Sequence, residues 1–328
     1  MRISIFVPQQ GVIEAITPPF RTFKTANEFL ATSGKTPIFD VEYVGLTEYV
    51  SASGGEYLIK TNRLLKDVQE TDLLIIPPTI GNPEVGIQMN AEAIPYFQEL
   101  HKKGSGLASL CAGAFLLAET GLLNGRKCST HWAHIAAFNE RYPQVEVEDG
   151  AIITEHDNIY SSGGANSLWN LLLYLVEKFS DRETAVMISK YFAIDIGRDS
   201  QSQFAIFKGQ RKHDDPDIRK VQDFIEKNYD EKITIENLAG LLLVGRRTFE
   251  RRFKDATNNT PLEYVQRVRI EAAKKFFEAA RKNVSDVMYD VGYTDSKAFR
   301  DTFKKVTGLT PIEYKNKFAK PLLNNGYA

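Results

Sequence analysis

Residues 104–123 read GSGLASLCAGAFLLAETGLL: two glycines, a short apolar run, one cysteine, then small residues opening a helical pattern. A strand such as GLASL that runs directly into a helix sets Cys111 on a tight turn. The backbone N–H groups of Ala112, Gly113 and Ala114 then point partial positive charge at the sulfur, a setting that lowers a thiol pKa and suits a nucleophile or a bound anion. A small hydrophobe packed under the helix gives the same pattern. Pattern alone leaves both readings open.

Working outward, ISIFV (3–7), FDVEYVGL (39–46) and DLLIIPP (72–78) are further strand-like runs, and AEAIPYFQELHKKG (91–104) is helical. Continuous apolar strands alternating with amphipathic helices predict an α/β domain on a parallel sheet covered on both faces. Ligands sit at the carboxyl ends of such strands, where Cys111 falls. The loop SSGG (161–164), rich in backbone donors, is expected to form another wall. Ser162 and Gly163 therefore join Cys111 and Ala112 as pocket residues for a small polar or anionic ligand. His131, after the next strand, is placed to approach the same pocket, although a histidine near a helix start is more often a cap. His134 lies three residues on at a chelating spacing, but no third ligand is in view. No metal and no cofactor are expected.

The 328 residues suggest two domains, each with its own core. Two cysteines give no disulfide framework and fit a reducing compartment. The opening MRISIFVPQQ looks like a first strand and not a secretion signal, and LWNLLLYLV (168–176) is too short to span a bilayer. A cytoplasmic chain without a membrane partner is expected. Residues 214–328 hold 22 Lys and Arg against 18 Asp and Glu, a net +4, which leaves −5 for the rest. That bias permits a nucleic-acid partner without demanding one.

GRDSQSQFAIFKGQRKHDDP (197–216) is polar and aperiodic and reads as a linker, with Asp215-Pro216-Asp217 opening a helix. Beyond it the pattern is helical throughout. Shifted by 50 residues, RTFERRFKDATNNTPLEY (247–264) lies over KAFRDTFKKVTGLTPIEY (297–314) with eight of eighteen positions identical. Each copy follows a short helix and a turn. Thr234 is expected to cap the first short helix and Ser285 the second, with turns at 243–245 and 292–294; the second members start at Arg246 and after Asp295. Helix, turn, helix is a DNA-reading unit. Residues 261–280 read as a long connecting helix. With Phe249 and Phe253 facing the core, Arg246, Arg247, Glu250, Arg251 and Lys254 face outward, as do Ser296, Lys297, Arg300, Asp301 and Lys304 in the second copy. Such faces suit phosphates and base edges.

Two resemblances follow from these motifs. SLCAGAFLLAETGLLNGRKCSTHW, YP at 142–143 and SSGGANSLW at 161–169 resemble the ThiJ/PfpI type of class I glutamine-amidotransferase-like domain, as fused to AraC/GlxA-type regulators. The resemblance implies a flavodoxin-like sandwich with the cysteine facing a small pocket. Hydrolases of that family carry a histidine after the cysteine, where this chain has Ala112. They also carry an acid four residues before a proline; aligned on Pro19 that position is Ala15, and the nearest acid is Glu14, which is taken with the pocket. VMYDVGYTDSKAFRDTFKKVTGLTPIEY resembles the AraC/XylS signature, with Gly245 where a capping Ser is common and Met288 where a small residue is usual.

The expected architecture is a flavodoxin-like α/β domain (1–195), a linker (196–216) and an all-α double helix-turn-helix domain (217–320). The expected function is transcription regulation through double-stranded operator DNA in response to a small-molecule effector, by a homodimer with RNA polymerase as a further partner, and without enzymatic activity. Two alternatives remain: a cysteine-dependent hydrolase or hydratase acting on a small amide-like or carbonyl substrate, and a redox sensor using Cys111.

Overall fold

The computed structural model describes residues 1–197, 200–211, 213–279 and 282–319. The chain divides between Gln201 and Ser202 into two compact units.

The first unit contains strands β1 (Arg2–Phe6), β2 (Asp40–Gly45), β3 (Tyr49–Ala52), β4 (Tyr57–Lys60), β5 (Arg63–Leu64), β6 (Leu73–Ile76), β7 (Gly106–Ser109), β8 (Lys127–Cys128), β9 (Glu146–Val147), β10 (Ile153–His156) and β11 (Ile159–Ser162). Its helices are α1 (Ile13–Thr32), α2 (Pro83–Met89), α3 (Ile94–Lys102), α4 (Ala114–Ala118), α5 (Ile135–Arg141), α6 (Ser167–Phe179) and α7 (Arg182–Tyr191). The main sheet runs β10-β11-β7-β6-β1-β2-β5, parallel except for β10 against β11. Alternation along its strands decides which core each side chain joins. Ile3, Ile5, Leu73, Ile75, Ala108 and Leu110 pack with Phe23 of α1 and Leu171, Leu172 and Leu175 of α6. Phe6, Leu74, Ile76 and Leu107 join Phe97 of α3, Phe115 and Leu117 of α4 and Phe138 of α5. Because both faces are covered, ligand access is left to the strand ends.

The second unit is helical among the described residues: α8 (Pro216–Lys227), α9 (Ile235–Leu241), α10 (Arg246–Thr257), α11 (Pro261–Glu278), α12 (Val284–Asp290), α13 (Ser296–Thr307) and α14 (Pro311–Phe318). The expected connecting helix is α11; its last expected residue, Ala280, and the domain's last, Lys320, lie outside the described residues. The repeat is reproduced in its core and in its helix ends. Phe249 and Phe253 fill one core, Phe299 and Phe303 the other. Thr257 and Thr307 each donate to the carbonyl four residues back at 2.8 Å, closing the helix end. Thr260 with Glu263 and Thr310 with Glu313 form capping boxes. Tyr264 and Tyr314 donate to Glu226 and Glu278, both at 2.6 Å.

Two expectations need correcting here. Asn283, not Ser285, caps α12, accepting from Asp286 N–H at 2.9 Å. The caps of α9 and α12 are thus 49 residues apart while α10 and α13 are 50 apart, so the second turn is one residue longer. The segment read as a linker is not a free strand of chain either. Gln201 N–H bonds to Gly150 O at 2.8 Å within the first unit. On the second unit, Phe207 N–H bonds to Glu271 at 3.2 Å and its ring meets Tyr264 at 5.2 Å. Phe207, packed against the core of the second unit, gave that segment an apolar peg that its polar average concealed. Its residues Arg198, Asp199 and Lys212 lie outside the described ones.

Candidate functional site

β7 ends at Ser109, and Cys111 follows on a 3-10 turn, Cys111–Gly113, that leads into α4. Cys111 has φ 55°, a left-handed conformation that costs a non-glycine residue about 1–2 kcal/mol. Two hydroxyls hold it there. Its N–H donates to Ser162 Oγ at 3.2 Å, and its carbonyl accepts from Thr130 Oγ1 at 3.1 Å. Gly113 makes the turn fit, because a Cβ there would lie 2.2 Å from Ile76 O. The segment it abuts continues into Pro77 and Pro78, neither of which carries an N–H.

The expected lowering of the thiol pKa does not occur. Burial pushes the Cys111 thiol up to about 11, against the opposing pull of the Ala112 and Ala165 N–H groups. α4 has five residues, too few for a substantial dipole, so desolvation wins. Cys128 is fully buried, its thiol pushed up to about 12 by the same cause.

His131 acts as a cap, as the blander expectation had it: its Nδ1 accepts from Ala133 N–H at 3.0 Å. Its other edge faces Gly164, where a Cβ would stand 2.8 Å from Cδ2. Burial, followed by the neighbouring His134, lowers its pKa. The two histidine rings lie 5.6 Å apart.

Gly163 was expected as a free pocket wall, and its open face is instead filled. The side chain of Gln201 enters there, so close that a Cβ on Gly163 would meet Nε2 at 2.6 Å. Gln201 is 1% exposed and its amide is fully used. Oε1 accepts from Gly164 N–H at 2.7 Å, while Nε2 donates to Thr130 O at 2.9 Å and Ala151 O at 3.1 Å. Cys111, Ser162, Gly163 and His131 thus belong to one network through Thr130, Gly164 and Gln201. Ala112 is partly exposed beside the elbow. Glu14 takes no part in it: on the first turn of α1 its carboxylate is exposed and has no hydrogen-bond partner among the described residues, while Ala15 turns into the core with Leu110. Sequence reasoning missed Thr130 and Gln201. Neither type nor spacing marks them.

In the second unit, Arg247, Arg251, Lys254, Lys297, Arg300 and Lys304 are exposed on α10 and α13 and have no ion-pair partner among the described residues. Ser296 and Asp301 are exposed beside them. Arg246 is exposed and Glu250 partly exposed; they pair with each other at 3.0 Å, and Arg246 also reaches Glu236 at 2.9 Å.

Fold and site together define an α/β domain with a cysteine elbow joined to a pair of helix-turn-helix modules. Residues 14–178 match the DJ-1/PfpI family and residues 238–317 a helix-turn-helix domain family. The chain belongs to the DJ-1/PfpI family and couples that domain to an AraC/XylS-type helix-turn-helix domain, as GlxA-type regulators do. It is 26% identical over 230 residues to the HTH-type transcriptional regulator GbdR of Pseudomonas aeruginosa, a match covering 69% of this chain and 62% of that protein. It is 25% identical over 271 residues to CdhR of the same species, covering 80% of each. A ThiJ/PfpI family protein from Pseudomonas syringae shares the fold with a TM-score of 0.50 at 17% identity, over 59% of this chain and 75% of that one.

Proposed function

We propose that this protein is a DNA-binding transcription regulator whose N-terminal domain holds a small-molecule effector without turning it over. The observation that carries the reading is the duplicated module, in which repeated aromatic cores and capping boxes frame α10 and α13, whose exposed cations Arg247, Arg251, Lys254, Lys297, Arg300 and Lys304 have no ion-pair partner among the described residues. Cations kept free of carboxylates are available to phosphates and guanine edges. GbdR and CdhR, similar over most of this chain, are named as transcriptional regulators. Against turnover stand a protonated thiol, Ala112 in place of a base, and an exposed Glu14 outside the Cys111 network. Among the described residues no helix is long and apolar enough to cross a membrane. The reading places the protein in the cytoplasm, as a homodimer on operator DNA that RNA polymerase also engages.

The test is selection of duplexes from a random-sequence pool by the full chain, followed by footprinting. Two protected segments about 34 Å apart are expected for reading helices in successive major grooves. Arg251→Ala and Arg300→Ala should each weaken a different segment by about 1–3 kcal/mol. A chain that enriches no sequence refutes the reading.

A further inference from the structure

The two reading helices share their aromatic pegs but differ in how the rest of each helix is held. α13 is capped by Asp295, which accepts from Ala298 N–H at 2.6 Å. α10 starts after Gly245 and has no side-chain cap. Its additional hold comes from Arg252, on a different face from Arg247 and Lys254. The Arg252 guanidinium forks onto Asp215, Nη2 to Oδ1 at 2.8 Å and Nε to Oδ2, and Nη2 also reaches Asp217 Oδ2 at 3.0 Å. Asp215 is meanwhile the N-cap of α8, accepting from the N–H groups of Asp217 and Ile218 at 3.1 Å each. The clamp lies beside a groove of about 520 Å³ whose lining includes His213, Asp214, Thr248, Arg251 and Asp255. Fifty residues on, the counterpart of Arg252 is the uncharged Thr302.

Phe249 and Phe253 bury without directional preference, whereas a bidentate arginine–carboxylate pair fixes orientation as well as distance. Successive residues of a helix are about 100° apart around its axis, so pinning position 252 sets the direction in which Arg251 points. We propose that Arg252, gripped by Asp215 and Asp217, is a positioning residue that sets the rotation of the first reading helix and thereby its half of the DNA site. The second module has no counterpart. The role rests on the DNA-binding reading above.

The test uses the full chain and duplexes selected by the wild type, with the two protected segments assigned to α10 and α13 by Arg251→Ala and Arg300→Ala. Asp215→Asn keeps a good N-cap but loses the charge; Arg252→Lys keeps the charge but loses the fork. Both should weaken the α10 segment about tenfold and leave the α13 segment within about twofold, with the thermal melt retained. Arg252→Asp should weaken the same segment, and the exchange Asp215→Arg with Arg252→Asp should restore part of it. Equal weakening of both segments, no weakening, or no recovery in the exchanged pair overturns the positioning role. If the wild type enriches no sequence, the DNA-binding reading has failed, and this role falls with it.

Discussion

The Cys111 thiol should react far more slowly at neutral pH than a free cysteine. Burial raises its pKa to about 11, compared with about 8.5 for an unperturbed thiol. At pH 7.5 the thiolate fraction is then about 300-fold smaller than that of the free residue. A more basic thiolate is a better nucleophile, and a Brønsted slope near 0.4–0.5 returns about tenfold of that loss. The net expectation is alkylation by iodoacetamide some 20- to 30-fold slower than a free thiol, before any steric hindrance at the partly buried sulfur. Labelling of the full chain is followed by peptide mass spectrometry from pH 6 to 11, with the fully buried Cys128 as internal reference. The Cys111 rate should climb with pH and reach no plateau below about pH 10. A plateau near or below pH 8.5, or a neutral-pH rate matching a free thiol, would refute the dominance of burial and restore the case for a nucleophile or redox sensor.

In a reporter assay on a promoter carrying the selected duplex sequence, Cys111→Ser should keep its effector response with a shifted dose dependence; loss of response with DNA binding intact would show that the thiol's chemistry is in use. Leu243 has φ 54° and is 94% exposed, so Leu243→Gly should raise stability by up to about 1 kcal/mol, read as a higher denaturant midpoint; a lower midpoint contradicts the strain. Gln201→Ala strands Gly164 N–H and Thr130 O, while Ala151 O keeps the Ser129 hydroxyl, and should cost about 2–3 kcal/mol in the transition of the first unit; an unchanged melt would mean that water replaces the amide. Burial alone would raise the Asp215 pKa, but the Arg252 fork and the α8 backbone N–H groups hold it below the usual range, as Arg252 does for Asp217. Stability from the clamp is therefore complete above about pH 4 and lost as pH falls through the depressed pKa values. Asp215→Asn should flatten that acid limb, and an acid limb identical to wild type would count against the clamp.

The helix-turn-helix half was legible because what holds it is local. Phe249 and Phe253, the back-bonding Thr257, the Thr260–Glu263 box and Pro261 all act within four residues of chain, so their spacing encodes their contacts, and a second copy 50 residues on repeats the code. The misplaced cap is also a local matter. Asn283 and Ser285 are both residue types that cap a helix, and only the backbone decides that Asn283 receives the Asp286 N–H. The Arg252 clamp spans 37 residues to Asp215 and left no periodic trace, since Arg252 looks like one more cation on a charged helix.

The surroundings of Cys111 in the first domain were legible only in outline, and the reason lies in distance along the chain. The strand-to-helix elbow is local and was read correctly as a tight turn. Its electrostatics depend on how deeply the fold buries the sulfur and on how short α4 is, and neither is written in the motif. Register decides the acid. One step along α1 rotates a side chain by about 100°, which leaves Glu14 in solvent and Ala15 in the core. In SSGG the donors were anticipated, and Gly164 N–H does point at an acceptor. That acceptor is Gln201, 37 residues on, whose amide also spans 50 residues to Ala151 and 71 to Thr130. Adjacent glycines announce that something approaches the backbone closely, but a residue at such separations in a polar stretch carries no mark of being the one that does. An effector that needs the face of Gly163 must therefore first displace the chain's own side chain, and its affinity will be reduced by whatever the Gln201 hydrogen bonds contribute.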